Sequence, residues 1–430
     1  MAKLSYYNIH TKGINGEGIL YNSLYGNILQ LSVGEYAEYL KMESEGIFNY
    51  PLIDSLTKYN FLVDDDFDEL EYYKLLWYRS LYASGILRHT ILPNLSCNCD
   101  CPYCFEEKNG TFMTKQTAQN YIRWLEPQLE NVKQFYVSWF GGEPLLSKEL
   151  IGFISSEIVR LSQKYNFEYS ACIVSNGVLL DRSFIDKMDD LNIKSVQITL
   201  DGDKEVHNRY RFLKGTNDGT FDIILKNLEE YCKYTSSDVA SVLRVNLTDE
   251  NYDSIPKLLD RIPDSIKSRC VLSFRWVYSH SYGRNPGIEF SASKKGNAPF
   301  ENLAHLYKLA QQKGFTTNTF DEGLHCNFCE CDFDRAFQID QDGDIFMCTH
   351  SMDKSEIIGN VREGFGSQKD MTRYAKFINA NPFDDPECQT CRILPICKGG
   401  CRKARYLGKK VCSDVKYSIP AYILEKAHVL

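Results

Sequence analysis

Short apolar runs of strand length alternate with stretches of helical period through the middle of the chain. The runs 86–95, 134–140, 169–175, 195–200, 241–247 and 271–278 predict strands, and helical patterns intervene at 115–129, 148–165, 182–191, 221–234 and 253–266. Six strands joined by helical crossovers predict a parallel, barrel-like α/β sheet. Residues 1–85 follow a different pattern and predict a separate small α+β unit. There, Gly18 to Ser23 and Asn27 to Leu31 read as a hairpin around Leu24-Tyr-Gly26. Ser32-Val-Gly-Glu35 is a capping-box pattern, and Asp64, Asp65 and Asp66 suit the positive end of a second helix over 67–82. Residues 281–300 carry Gly, Pro and Lys and predict a loop, a boundary or cover before a Cys-rich region at 301–430.

Composition narrows the class. A chain of 430 residues with 43% hydrophobic and 25% charged positions is ordinary for a soluble globular protein of two or three domains. A net charge of −8 argues against a dedicated nucleic-acid binder. No apolar run approaches the roughly 18 residues of a membrane span, and the amino terminus lacks a signal-peptide pattern, so no membrane partner and a cytoplasmic location are expected. In that compartment the 16 cysteines are expected to be reduced and to serve as metal ligands rather than disulfides.

Cys97, Cys101 and Cys104 follow the first predicted strand with the spacing C-x3-C-x2-C. Cubane iron–sulfur clusters normally take four Cys ligands, so three thiolates leave one iron open to a small molecule. Tyr103 precedes the third Cys. Further motifs close the next strands: Trp139-Phe-Gly141-Gly142-Glu143-Pro144, Ser175-Asn176-Gly177, Leu200-Asp201-Gly202 and Arg244-Val-Asn246. His207-Asn208-Arg209-Tyr210-Arg211 follows the fourth. All lie at carboxyl ends of predicted strands, where α/β barrels place their chemistry.

This series resembles the radical S-adenosylmethionine (SAM) superfamily. The resemblance implies a partial (β/α)6 TIM-type barrel, a [4Fe-4S] cluster on Cys97, Cys101 and Cys104, and SAM on its fourth iron. It implies that Gly141-Gly142-Glu143 grips the SAM amino group, with glycines there to let backbone reach the ligand. It also implies a SAM carboxylate contact for Arg211, seating of adenine by Tyr103 and Phe105, and SAM or substrate contacts for Asp201. Ser175, Asn176 and Asn246, in the strand-end motifs, complete the expected cofactor contacts. Asn208 stands where the family usually has Asp.

The pattern Cys331-x11-Gly343-x4-Cys348, Cys388-x2-Cys391-x5-Cys397-x3-Cys401 and then Cys412 resembles the SPASM extension of radical SAM enzymes. That resemblance implies two auxiliary [4Fe-4S] clusters, three in all. Cys331, Cys348 and Cys401 would hold the first, with Cys326 or Cys329 as fourth ligand or an open iron. Cys388, Cys391, Cys397 and Cys412 would hold the second. Taken alone, C-x2-C repeats also suit tetrahedral zinc. Residues 338–343 predict a hairpin turning at Gly343. Cys172, Cys232 and Cys270 read as buried small hydrophobes, and the register excludes Cys99 as a ligand. The basic run Lys398, Arg402, Lys403, Arg405, Lys409 and Lys410 reads as a solvated face, with docking of a flavodoxin or ferredoxin-type reductant as the alternative.

The leading expectation is a maturase of a ribosomally made precursor peptide, with residues 1–85 recognising its leader. A Cys thioether of the sactipeptide or ranthipeptide type is the expected product. A carbon–carbon or carbon–oxygen crosslink stays open. The rival enzyme is an anaerobic sulfatase maturase, which oxidises Cys or Ser to formylglycine. That subfamily places Asp after the Cys equivalent to Cys348; here Thr349 and His350 follow, with His350 a candidate base because imidazole titrates near neutrality. A non-catalytic iron–sulfur scaffold would leave Gly141-Gly142-Glu143 and Arg211 unexplained.

Overall fold

The computed structural model describes residues 2–46, 51–82, 85–104, 106, 108–235, 241–276, 298–317, 329–349, 351 and 353–412, with a few positions beyond. Cys326, His350 and Phe105 lie outside the described residues, as does nearly all of the predicted loop 281–300.

The front unit holds five strands: β1 (Ala2–Leu4), β2 (Asn8–Lys12), β3 (Gly18–Asn22), β4 (Ile28–Leu31) and β5 (Leu62–Asp64). β2, β3 and β4 form an antiparallel sheet with the predicted hairpin at its end. Ser32 and Glu35 close the capping box ahead of helix Val33–Glu45. The acidic triplet does something other than expected. Asp64 ends β5 opposite Ala2, and the next helix, Glu69–Leu81, takes its cap from Asp68. That helix buries Tyr73, Trp77 and Leu81 at four-residue intervals, a single apolar face.

Six strands then run parallel in chain order: β6 (Ile86–Ile91), β7 (Gln134–Trp139), β8 (Glu168–Ser175), β9 (Ile193–Leu200), β10 (Ser241–Leu247) and β11 (Cys270–Trp276). Sequential parallel neighbours with helical crossovers give an open, barrel-type α/β sheet. The sheet runs past residue 300 at both edges. β12 (Thr316–Thr317) pairs with β11, and β13 (Ala336–Ile339) pairs parallel with β6 before turning into β14 (Asp344–Phe346). At that turn Gly343 takes φ +84°, and the Asp340 carboxylate accepts N–H bonds from Asp342 and Asp344.

Each strand has a helix face and a lumen face. On β10, Leu243, Val245 and Leu247 are buried toward the helices while Val242, Arg244 and Asn246 face the lumen. Cys232 and Cys270 are buried on the helix side, as expected, but Cys172 is not: it is half-buried, its parity places it on the lumen face, and it lies 3.5 Å from the Ser138 hydroxyl. Prolines account for shortened elements. Pro93 ends β6 early, and Pro263 splits the predicted helix 253–266 into Ile255–Arg261 and Asp264–Lys267. The helix expected over 182–191 is a single turn, Arg182–Ile185.

The basic run near the carboxyl terminus is a solvated face only at its end, where Lys409 and Lys410 are exposed; its first four members are bonded within the structure. Arg402 is buried, pairs with Asp332 at 2.9 Å and stacks over Trp77. Lys398 is buried as well, Arg405 donates to the carbonyls of Ala380, Gly399 and Gly400, and Lys403 pairs with Glu356 at 2.8 Å. Removing one member of a buried pair strands the other charge, so Arg402→Ala is expected to cost about 3–5 kcal/mol. Asp332→Asn with Arg402→Met, which leaves no lone charge, should recover most of that loss; thermal unfolding of both variants reads the comparison.

Candidate active site

The cluster loop is an extension of the sheet. After β6 the chain passes Asn94 and Ser96 and lies directly on the end of β7. The Gly142 N–H donates to the Asn94 carbonyl at 3.3 Å, and the Glu143 N–H donates to the Ser96 carbonyl at 2.7 Å. A Cβ at Gly141 would stand 2.4 Å from the Asn94 oxygen, and one at Gly142 would stand 2.1 Å from the Ser96 oxygen. Neither position has room for a side chain against that backbone. Asn94, fully buried, ties the seat with bonds to the Glu143 carbonyl (3.0 Å) and the Ser147 hydroxyl (2.9 Å).

The Glu143 side chain is fully buried too. Its carboxylate accepts from the Ser175 hydroxyl (2.8 Å), the Asn176 N–H (2.8 Å) and the Leu145 N–H (3.0 Å). Burial pushes its pKa up to about 7, against those hydrogen bonds. Glu143 and Ser175 therefore join the ends of β7 and β8 from inside. Asn176 continues the link outward: its amide donates to Asn98 Oδ1 at 2.7 Å and lies 3.7 Å from the Cys97 sulfur. Cys97 also accepts from the Cys99 backbone N–H, and its thiol is held below the usual range, chiefly by hydrogen bonding from Cys99. Cys99 itself is buried, its carbonyl held by Lys108 Nζ at 2.7 Å.

Across the loop, Asp201 at the end of β9 pairs with Arg211 at 2.7 Å and accepts from the Tyr103 hydroxyl. Burial works against the Arg211 charge, but Asp201, Tyr103 and Cys101 together outweigh it and raise the pKa well above the usual value. The second Asp201 oxygen is buried without a partner. His207 fixes this pair from behind. Its Nδ1 accepts the Asp201 N–H at 3.2 Å, so Nε2 donates to Thr220 (3.0 Å), which donates to the Arg211 carbonyl (2.9 Å). Asn208 caps the next helix by accepting the Phe221 N–H at 3.0 Å, a task its amide oxygen performs as well as a carboxylate. Asn251, absent from the sequence reading, binds the Asp201 and Asn246 carbonyls, each at 2.7 Å, and joins the ends of β9 and β10.

The structure thus gathers Cys97, Cys101, Cys104, Tyr103, Asn176, Asp201 and Arg211 at the carboxyl ends of the strands. Asn246 faces the same lumen, its Oδ1 accepting from Arg244 Nε at 3.0 Å. In the tail, the Cys331 thiol lies within hydrogen-bonding reach of Cys329 and Cys348, and Cys401 is close enough to Cys348 and Cys329 to feel their charge. Cys388 and Cys397 neighbour each other likewise, with Cys391 one turn on and Cys412 packed against Gly400. Among the described residues only Asp340, Asp342 and Asp344 bring three donor atoms within 4.8 Å of one another.

Residues 91–262 match the radical SAM superfamily. The chain is 25% identical over 349 residues to a cysteine-type anaerobic sulfatase-maturating enzyme of Clostridium novyi, covering 72% of this chain and 85% of that one. It is 22% identical over 327 residues to the mycofactocin maturase MftC of Mycolicibacterium smegmatis, covering 72% and 76%. Among solved structures, anSMEcpe with bound AdoMet and Kp18Cys peptide superposes with a TM-score of 0.61 at 19% identity, over 80% of this chain and all of that one. Streptococcus suis SuiB bound to precursor peptide SuiA superposes at 0.50 and 15% identity, over 93% and 95%. The fold and the matched segment define a radical SAM enzyme. Residues 91–262 are its radical SAM domain, which works with SAM and a [4Fe-4S] cluster.

Three free, half-buried thiols on one loop, beside the Lys108 and Arg211 cations, suit an anionic cluster. Gly142→Ala must push the Ser96 backbone aside. Reconstituted protein is expected to lose about four irons and SAM cleavage together, while Gly152→Ala, in open space on a helix, should change neither. A second expectation concerns pH. Burial holds His207 down at about 4 against 6.5 when free. The folded state then binds fewer protons, so this stability is full above pH 6.5 and is lost as pH falls toward 4, by up to about 3 kcal/mol. His207→Gln should flatten that part of the stability–pH curve.

Proposed function

We propose that the protein is a radical SAM maturase of a ribosomally made peptide, with a SPASM tail and a leader-binding front unit. The observation that carries this reading is the joining of both cysteine regions to one open sheet, with the Cys97–Cys104 loop at its strand ends and Glu330, between Cys329 and Cys331, reaching Thr90 and Ser138 in the lumen. Peptide maturases among the relatives, and the peptide-bound structures that superpose, support it.

A cluster on Cys97, Cys101 and Cys104 with SAM would supply a 5′-deoxyadenosyl radical. Around it, Asp201 and Tyr103 hold Arg211 in place to orient the SAM carboxylate, and the tightly seated loop keeps the thiols fixed while charge arrives. Cys331, Cys348 and Cys401, with Cys329 beside them, would hold the first auxiliary cluster; Cys388, Cys391, Cys397 and Cys412 would hold the second. Their place downstream of the radical SAM segment favours clusters over zinc. Joining a peptide Cys sulfur to carbon is the reaction this set suits best. The electron donor is of flavodoxin or ferredoxin type, and of the tail's basic run only Lys409 and Lys410 stand exposed to meet it.

Formylglycine formation is the second reading, favoured by the sulfatase-maturating relatives. Thr349 in place of Asp after Cys348 speaks against it. Anaerobic reconstitution is expected to give about twelve irons per chain and 5′-deoxyadenosine with dithionite. Replacing Cys97, Cys101 and Cys104 by Ala should remove about four irons and all SAM cleavage. Mass spectrometry of a modified Cys peptide separates the readings: a thioether loses two hydrogens and keeps its sulfur, whereas formylglycine has lost the sulfur.

A further inference from the structure

Two guanidinium groups share the lumen face of the sheet, with no acidic partner among the described residues. β10 and β11 pair in parallel with Arg244 opposite Ser273 and Asn246 opposite Arg275, so the two arginines are diagonal neighbours of the same parity. Their flanking residues Leu243, Val245, Leu272 and Phe274 are buried in the helix layer, which fixes both arginines on the other side. Arg244 donates Nε to Asn246, and Arg275 reaches only the carbonyl of Phe274, at 3.4 Å.

Among the described residues no carboxylate lies in ion-pair range of either one, whereas Arg211 and Arg402 each pair with an aspartate. Asp201, the carboxylate whose charge reaches Arg244, is paired with Arg211 and Tyr103 through one oxygen, and its second oxygen is buried without a partner. Burial, then repulsion from Arg275, lowers the Arg244 pKa to about 10. Arg244 is half-buried and Arg275 exposed, and like charges this close are unfavourable until an anion joins them.

We propose that Arg244 and Arg275 form a carboxylate-binding site for the peptide substrate inside the lumen. This rests on the maturase reading. Guanidinium forks match a carboxylate in two-point fashion, which fixes orientation as well as position. Asn246 and Asn251 tie this site to the strand end that carries Asp201, so an acidic group held there sets its neighbouring residues beside the radical centre. The carboxylate is either an Asp or Glu side chain near the modified residue or the peptide's own carboxyl terminus.

Three blocked or free tripeptides test this on the reconstituted full chain, with SAM at saturation so that the cofactor's carboxylate is not what is measured. Ac-Gly-Asp-Gly-NH2, Ac-Gly-Asn-Gly-NH2 and Ac-Gly-Gly-Gly-OH are titrated by saturation-transfer NMR. At least about tenfold tighter binding of one carboxylate peptide than of the Asn peptide is expected, and which one binds identifies the source. Arg275→Gln, at the more exposed position, should abolish the preference, and Arg275→Lys should restore part of it. Equal binding of all three, or a preference that survives Arg275→Gln and Arg244→Gln, overturns the site. SAM cleavage by the same wild-type preparation reports separately on the maturase reading: cleavage with no peptide preference removes only the carboxylate site.

Discussion

Two backbone hydrogen bonds carry the architecture of the centre: Gly142 to Asn94 and Glu143 to Ser96. They make the cysteine loop a continuation of the sheet rather than an appendage. Everything around them is arranged so that the backbones can meet. Neither glycine has room for a Cβ, Asn94 is buried to hold both sides, and Glu143 turns inward to fasten β8. A carboxylate buried this deeply is costly, and three hydrogen bonds offset that cost only in this one geometry. The thiols inherit their positions from that geometry.

A second brace works by charge. Asp201, Arg211 and Tyr103 form a buried cluster whose orientation depends on a neutral His207, protonated on Nε2 because Nδ1 accepts a backbone N–H. In a low-dielectric setting such a network permits few alternatives. Every polar member has its assigned neighbour except one Asp201 oxygen. The lumen beyond it is polar too, with Thr90, Ser138, Cys172, Arg244 and Asn246 on its face, and this is what distinguishes a working cavity from a packed barrel core.

Periodicity made the barrel legible. The elements 148–165, 221–234 and 241–247 fall where the pattern puts them because their apolar faces meet a single neighbouring layer. The cysteine sets were legible by spacing. Other features are not one-dimensional. The basic run looked like a surface because its partners, Asp332, Trp77 and the carbonyls near residue 400, come from distant segments or from the chain's own turn. Cys172 sits in an apolar strand whose two faces differ only in what packs over them. The glycines of Gly141-Gly142-Glu143 suggested a ligand; they also admit another part of the backbone, and no local pattern encodes which backbone that is.

The attachment of the front unit follows from the same reasoning. Its closest partners are in the Cys388–Cys397 loop, not in the six-stranded barrel. Tyr6 donates to the Thr390 carbonyl, Ser23 to the Arg392 carbonyl, and Arg392 in turn binds Glu43 and the Asn8 carbonyl. Trp77 packs on Phe383 and under Arg402, while Ile19 and Tyr21 bury Ile423. Cutting the front unit away would bare this apolar surface and unpair groups within a few residues of Cys388, Cys391 and Cys397. The small sheet of β2, β3 and β4 therefore belongs to a unit packed against the tail's cysteine loop, and the two are mechanically linked, since neither surface is complete without the other.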